Sequence, residues 1–164
     1  MSIDLSKDAG LLAGLAGEVR AKTLRLFDDV KDSELMYSPP GLSNHILWYA
    51  GHVLWVQDAL GIAAITGKSE LPVGWAETFG KFCRPVKETK QWPGRGEIRE
   101  RLVAQLPRLQ EVIGSVGKRD LESPSPNKAL GPEKPLWYWI THASHDEANH
   151  QGEIYLLMKI QRNR

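Results

Sequence analysis

The chain has a single cysteine, no long apolar run and almost no net charge. With only Cys83 available, an intramolecular disulfide and a thiolate metal cluster are both excluded. No apolar run reaches the roughly 20 residues that are needed to cross a bilayer. The formal net charge of +1 gives no electrostatic reason to expect nucleic acid or an anionic membrane as a partner.

The N-terminus also lacks the pattern of a secretory signal peptide, because Asp4, Lys7 and Asp8 interrupt it early. We therefore expect a cytoplasmic protein. The 164 residues are enough for one well-packed core, so a single domain over residues 1–164 is predicted.

Apolar residues recur at helical spacing in four segments, at about 5–30, 43–67, 97–116 and 135–161. In the first segment charged residues such as Arg20 interleave with the apolar ones, as in an amphipathic helix. Ser43 is a favourable N-cap for the second helix, and Pro135 suits the first turn of the fourth. Pro107 predicts a kink or a break in the third. The pattern predicts an all-α protein, a four-helix bundle.

A long connection, residues 68–96, separates the second helix from the third. Such a crossover would allow these two helices to run parallel. Its aromatic residues between Trp75 and Phe82 predict a packed cover rather than a moving lid, and Cys83 beside them is interpreted as a small buried apolar residue.

Three of the five histidines lie within nine residues of the predicted fourth helix: His142, His145 and His150. Asp146 and His150 are one helical turn apart, which places their Cβ atoms roughly 5–6 Å from each other on one face. That spacing suits two ligands of one metal ion. His142 and Glu153 extend the same polar stripe by one turn in each direction. The alternative is a solvated helix face, the usual explanation for a polar stripe.

His52 lies on the second helix, which is apolar nearly all round. A buried imidazole needs a polar partner, and a backbone carbonyl is the common one for a lone histidine. Together with Asp146 and His150, His52 would instead complete a site of two histidines and one carboxylate with open positions. Such a ligand set suits zinc, nickel or ferrous iron.

Neighbouring features and other motifs add little to this hypothesis. Trp48 and Trp55 flank His52 and are interpreted as core aromatics, with a pocket wall beside the metal as the alternative. His145 and His150 are five residues apart, which excludes the His-Glu-x-x-His helix of zinc proteases. The Glu-x-x-His of a di-iron bundle occurs once, at Glu147, without the second copy that such a site needs. An iron oxygenase would fit the ligand set but nothing else in the sequence.

Two stretches carry a family resemblance. They read Gly-His-Val-Leu-Trp-Val-Gln-Asp at 51–58 and His-Asp-Glu-Ala-Asn-His-Gln-Gly-Glu-Ile at 145–154. Both resemble the DinB/YfiT superfamily, and the order of elements is similar over nearly the whole chain. The resemblance implies a four-helix bundle with a long crossover and a metal triad of one histidine in helix 2 and a His-x-x-x-His pair in the last helix. His52 matches the first ligand and His150 the last, whereas Asp146 stands where a histidine is usual.

The resemblance also implies a reaction class. Characterised relatives are metal-dependent transferases or isomerases that use a low-molecular-weight thiol such as bacillithiol, mycothiol or glutathione. By that resemblance the chain would be a homodimeric S-transferase acting on a small electrophile, with His45 or His142 as a catalytic proton acceptor or orienting group. The alternative is a non-catalytic ligand-binding or stress-associated protein on the same scaffold, with a degenerate metal site.

Overall fold

The computed structural model describes residues 8–42, 44–81 and 92–163, and within them the chain is helical. The elements in chain order are α1 (Asp8–Asp29), a 3₁₀ helix (Asp32–Glu34), α2 (Ile46–Gln57), a π-helical turn (Asp58–Ile62), α3 (Ala63–Thr66), α4 (Trp75–Phe79), α5 (Arg95–Gly114), α6 (Lys118–Leu121), a second 3₁₀ helix (Lys128–Leu130) and α7 (Leu136–Arg162). In these residues the only β pairing is an isolated bridge between Pro124 and Pro135. The predicted all-α class is confirmed.

Four helices, α1, α2, α5 and α7, form a bundle in which α1 and α2 each pack against both α5 and α7. Side-chain contacts give their directions. Contacts Arg20–Glu147 and Asp29–Arg162 advance together along α1 and α7, so these helices are parallel.

The other long pair is parallel as well. Gln105 of α5 donates to the Leu54 carbonyl of α2. Gly61, which follows Leu54 in the chain, faces Leu109, which follows Gln105, so the contacts advance in the same direction along both segments. The predicted crossover between the second and third helices of the bundle is therefore confirmed. Within the described residues, no helix is both long enough and apolar enough to cross a membrane.

The start of α2 differs from the prediction. Ser43, the predicted N-cap, lies outside the described residues, and the helix begins at Ile46. His45 caps it instead, because its Nδ1 accepts a hydrogen bond of 3.1 Å from the amide of Trp48. At the other end Gly67 adopts a φ of 81°, a left-handed conformation that ends the helical run where the sequence predicts.

Pro107 does not divide α5, which runs without interruption from Arg95 to Gly114, so the predicted break is wrong and the alternative, a kink, stays a prediction. A proline deprives the carbonyl four residues earlier of its helical donor. That residue is Val103, which is exposed, and Pro107 is exposed as well. Since water reaches this side of the helix, the missing hydrogen bond is tolerated.

The described part of the crossover packs against α2 through α4. Trp75 and Phe79 of α4 are buried and belong to the same hydrophobic cluster as the first half of α2. The interpretation of this aromatic segment as a packed cover is confirmed for the described part. Phe82 and Cys83 lie outside the described residues.

A buried polar layer crosses the bundle and divides its core in two. One apolar cluster includes Phe27 and Leu54, and the other includes Ile62 and Leu109. Between them lie polar side chains from all four long helices: Arg20, Thr23, Gln57, Gln105 and Glu147.

The centre of this polar layer is an ion pair whose two side chains are fully buried. Arg20 Nε lies 2.8 Å from Glu147 Oε1. The carboxylate also accepts hydrogen bonds from Thr23 and Gln57, so its charge is well satisfied. Arg20 was part of an amphipathic pattern in the sequence, and periodicity gave no sign of its burial.

Candidate metal centre

The structure brings His52, Asp146 and His150 together between α2 and α7. Asp146 Oδ2 lies 3.5 Å from His52 Nε2 and 3.2 Å from His150 Nε2. One ligand atom of each residue lies within 4.8 Å of the other two. The one-turn spacing on α7 sets Asp146 beside His150, and the antiparallel packing of α2 brings His52 opposite to them.

The orientation of His52 is fixed by α4. Its Nδ1 lies 2.5 Å from the Phe79 carbonyl oxygen, which accepts a hydrogen bond from it. Carbonyls in the last turn of a helix have no helical partner and are free to accept. With the proton on Nδ1, the lone pair of Nε2 faces Asp146 and His150. The two interpretations of His52 are thus compatible, because carbonyl and metal would use opposite nitrogens.

Two tryptophans hold α4 in the position that this contact requires. Trp48 Nε1 donates to the Thr78 carbonyl, and Trp75 Nε1 donates to the Gly51 carbonyl, both at 3.1 Å. The donors come from opposite helices, so each helix is bound to the backbone of the other. Sequence reasoning missed this contribution of the crossover to the site, since a backbone carbonyl leaves no signal in the residue types.

His150 has its own oriented partner. Its Nδ1 donates to Oε2 of Glu153, one turn further along α7. Glu153 also interacts with the hydroxyl of Tyr49, whose aromatic ring lies 5.1 Å from the imidazole of His150 between centroids. Burial, followed by the negative charge of Glu153, raises the pKa of Tyr49 to about 12, so this hydroxyl stays protonated at neutral pH.

The residues fit a metal ion because their inward-facing atoms converge, and those of Asp146 and His150 have no hydrogen-bond partner outside the ligand group. Asp146 Oδ2 and His150 Nε2 are buried and neither makes a hydrogen bond in the described structure. Once His150 has released its proton, a cation shared by the three ligand atoms would satisfy their lone pairs. Asp146 is the most exposed of the three, with 27% of its side chain accessible, so the group opens to solvent on that side.

The charges of the group reinforce one another without a metal. Burial lowers the pKa of His150, but contacts with Asp146 and Glu153 outweigh this effect and raise the pKa to about 9. Burial raises the pKa of Asp146, and contacts with His150 and His52 outweigh it, which leaves this pKa far below its ordinary value. At neutral pH the metal-free group therefore holds an anionic Asp146 beside a protonated His150, and a metal would have to displace that proton.

Aromatic rings surround the two histidines. Trp48 stacks on His52 at 4.6 Å between centroids, and Trp55 lies on the other side at 5.3 Å. Trp48 belongs to the core, as predicted, while Trp55 is only partly buried and packs at its edge. The interpretation as core aromatics is confirmed for Trp48, and a pocket wall beside the metal stays a prediction.

The two predicted catalytic histidines lie outside the ligand group. His45 is 2% exposed, caps α2 and packs edge-on against Trp92. His142 is exposed, one turn before Asp146, and stacks on Tyr138. A catalytic role for either one stays a prediction.

The fold and the ligand group together agree with a comparison of families. A sequence model of the DinB superfamily matches residues 16–154. The chain belongs to the DinB superfamily. A crystal structure described as that of the conserved protein of a locus from Enterococcus faecalis resembles this fold with a TM-score of 0.68 and 15% identity. The similarity covers 99% of this chain and 100% of that one. At this identity the similarity shows the fold alone, and no curated protein matches the chain.

Proposed function

We propose that this DinB protein binds a divalent metal ion through His52, Asp146 and His150 and catalyses thiol-dependent S-transfer to a small electrophile. The observation that carries the metal is the convergence of one ligand atom each from His52, Asp146 and His150, all within 4.8 Å of one another. Zinc, nickel and ferrous iron all accept two imidazoles and one carboxylate. The thiol is suggested by the family resemblance alone.

When bound, a divalent ion at this position would lower the pKa of a thiol and favour its thiolate form. The residues of the chain provide the setting. His52 and His150 are held in one tautomer by Phe79 and Glu153, and Trp48 and Trp55 limit access of water around His52. His142, exposed on the same stripe, is our candidate for accepting the proton that the thiol releases.

A carboxylate in place of the usual histidine favours the alternative function. In that case the metal site with Asp146 would be weak or lost, and the same bundle would bind a ligand without turnover. For either function, we also predict that the protein forms a homodimer and takes a small molecule as its substrate or ligand.

Metal content is the first test of these possibilities. We would measure zinc, nickel and iron by elemental analysis in tag-free wild type, His52→Ala, His150→Ala and Asp146→His, after dialysis against a weak chelator. We expect about one ion per chain in the wild type and loss from both alanine variants. Asp146→His restores the usual family ligands and should retain zinc more tightly. His145→Ala is the matched control, because His145 is an exposed histidine of α7 outside the ligand group.

Metal that persists in His150→Ala would disprove the site. If the wild type binds metal, a screen of bacillithiol, mycothiol and glutathione with electrophiles such as chlorodinitrobenzene tests the reaction. Turnover that requires both metal and thiol supports the transferase, and metal without turnover supports the ligand-binding alternative.

A further inference from the structure

We propose that Glu153 is a positioning residue of the metal centre, which holds the imidazole of His150 with its Nε2 directed at Asp146 and His52. This inference rests on the metal site of the proposed function. It assigns a role to a side chain outside the ligand group.

The first argument is the side of the ring on which Glu153 lies. Its carboxylate contacts Nδ1 of His150, whereas Asp146 faces Nε2 of the same imidazole. These nitrogens point to opposite edges of the ring. Glu153 is therefore placed to orient the ligand from behind rather than to share the metal.

The second argument is that an imidazole without such a partner is not fixed. It can place its proton on either nitrogen and can rotate about the bond that carries the ring. A hydrogen bond accepted from Nδ1 removes both freedoms and leaves Nε2 as the ligand atom. His52 is fixed in the same way by the carbonyl of Phe79.

The two partners differ in charge, which is the third argument. The Phe79 carbonyl is neutral, but Glu153 is a carboxylate and increases the electron-donating strength of His150. Asp146 and Glu153 together would balance both charges of a divalent ion. His150 is thus expected to be the stronger of the two imidazole ligands.

Glu153 can be replaced without disturbing the core, because 48% of its side chain is exposed. We would measure the Co²⁺ dissociation constant by chelator competition in wild type, Glu153→Gln and Glu153→Ala. Asn149→Ala is the control, as Asn149 is an exposed neighbour of His150 whose side-chain amide contacts His145.

Glu153→Ala should bind Co²⁺ about 10–100-fold more weakly. Glu153→Gln should lose less, because its amide oxygen still accepts the hydrogen bond but carries no charge. Asn149→Ala should stay within about twofold of the wild type. The visible absorption spectrum of bound Co²⁺ should keep its shape in all variants, because the ligands are unchanged. A changed spectrum in Glu153→Ala would make Glu153 a ligand, and unchanged affinity would leave it without a role; either result overturns the proposal.

A metal-free measurement separates this proposal from the proposed function. In the wild type, the hydrogen bond to Glu153 should give a low-field proton resonance coupled to Nδ1 of His150, assigned by its absence from His150→Ala. Glu153→Ala should lose that resonance. If the wild type binds no Co²⁺, the metal site fails, and this resonance still decides whether Glu153 holds the imidazole. Its persistence in Glu153→Ala would refute the positioning role.

Discussion

His45 and His52 show how position along one helix gives two histidines different tasks. Both are buried and lie seven residues apart, on nearly the same side of α2. His45 precedes the first turn, where unpaired amides need an acceptor, so its Nδ1 becomes a cap. His52 lies within the helix, where the backbone amides already have partners, and its ring reaches α4 and α7 instead.

The cap at His45 predicts a pH dependence of stability. Burial lowers the pKa of folded His45 to about 4, below its ordinary value of 6.5. As the pH falls from 6.5 towards 4 the unfolded chain takes up this proton first, so the stabilisation that is present above pH 6.5 is lost over this range. In His45→Asn the cap remains and the titration disappears, so the free energy of unfolding, measured in urea, should fall less over the same range. His145→Asn, at an exposed histidine, should behave like the wild type; a His45→Asn curve that also follows the wild type would disprove the assignment.

At the scale of helices, the site depends on how closely α4 approaches α2. A methyl group added at Gly51 would come within 2.2 Å of the aromatic ring of Phe79. Gly51 is therefore required by the same close contact that brings the Phe79 carbonyl to His52. Steric contact with Phe79 therefore explains why a glycine, Gly51, precedes His52 in the family-like stretch.

Gly51→Ala should destabilise the protein by about 1–3 kcal/mol, because the Phe79 ring must move, and should weaken metal binding through His52. Gly152→Ala is the matched control. A methyl group there meets nothing within 4 Å, so this helical substitution should stabilise α7 by about 0.5–1 kcal/mol. Urea unfolding of the two variants measures both effects. Equal stability of Gly51→Ala and the wild type would show that α4 does not constrain α2.

At the scale of the whole molecule, the polar layer sets how the four long helices align. Arg20 and Glu147 are separated by 127 residues in sequence and meet at the centre of the bundle. Glu147 directly follows the candidate ligand Asp146 and accepts a hydrogen bond from Gln57 of α2, so it also fixes the facing positions of the two helices that carry the candidate metal ligands. Sliding either helix by one turn would leave buried charges without partners.

Glu147→Ala should cost about 3–5 kcal/mol of unfolding free energy, since it leaves the guanidinium of Arg20 buried and unpaired. The double variant Arg20→Met with Glu147→Leu removes both charges and should recover part of that loss. Chemical denaturation of the wild type, the single variant and the double variant compares the three. If the double variant is less stable than Glu147→Ala, the unpaired charge of Arg20 is not the main cause of the loss. The ion pair would then stabilise the fold more than the apolar side chains that replace it.

The sequence by itself determined the helical segments, the long crossover and the meeting of Asp146 with His150. Each of these follows from local properties, because a helix turns by about 100° per residue whatever surrounds it. It also required a partner for His52, since that imidazole lies in an apolar helix. The one-turn spacing of Asp146 and His150 made them candidate partners for His52, the family resemblance supported His52 and His150, and the packing of α2 against α7 brings all three together.

Only the tertiary structure decided which groups orient those ligands and which charges are buried. The Phe79 carbonyl at His52 and the burial of Arg20 depend on helices that cross far from each other in sequence. Periodicity places a residue on a face of its own helix, but it does not say which residue of another helix stands opposite. The start of α2 shows the same limit, because its N-cap depended on where the imidazole of His45 could reach rather than on the general preference for serine.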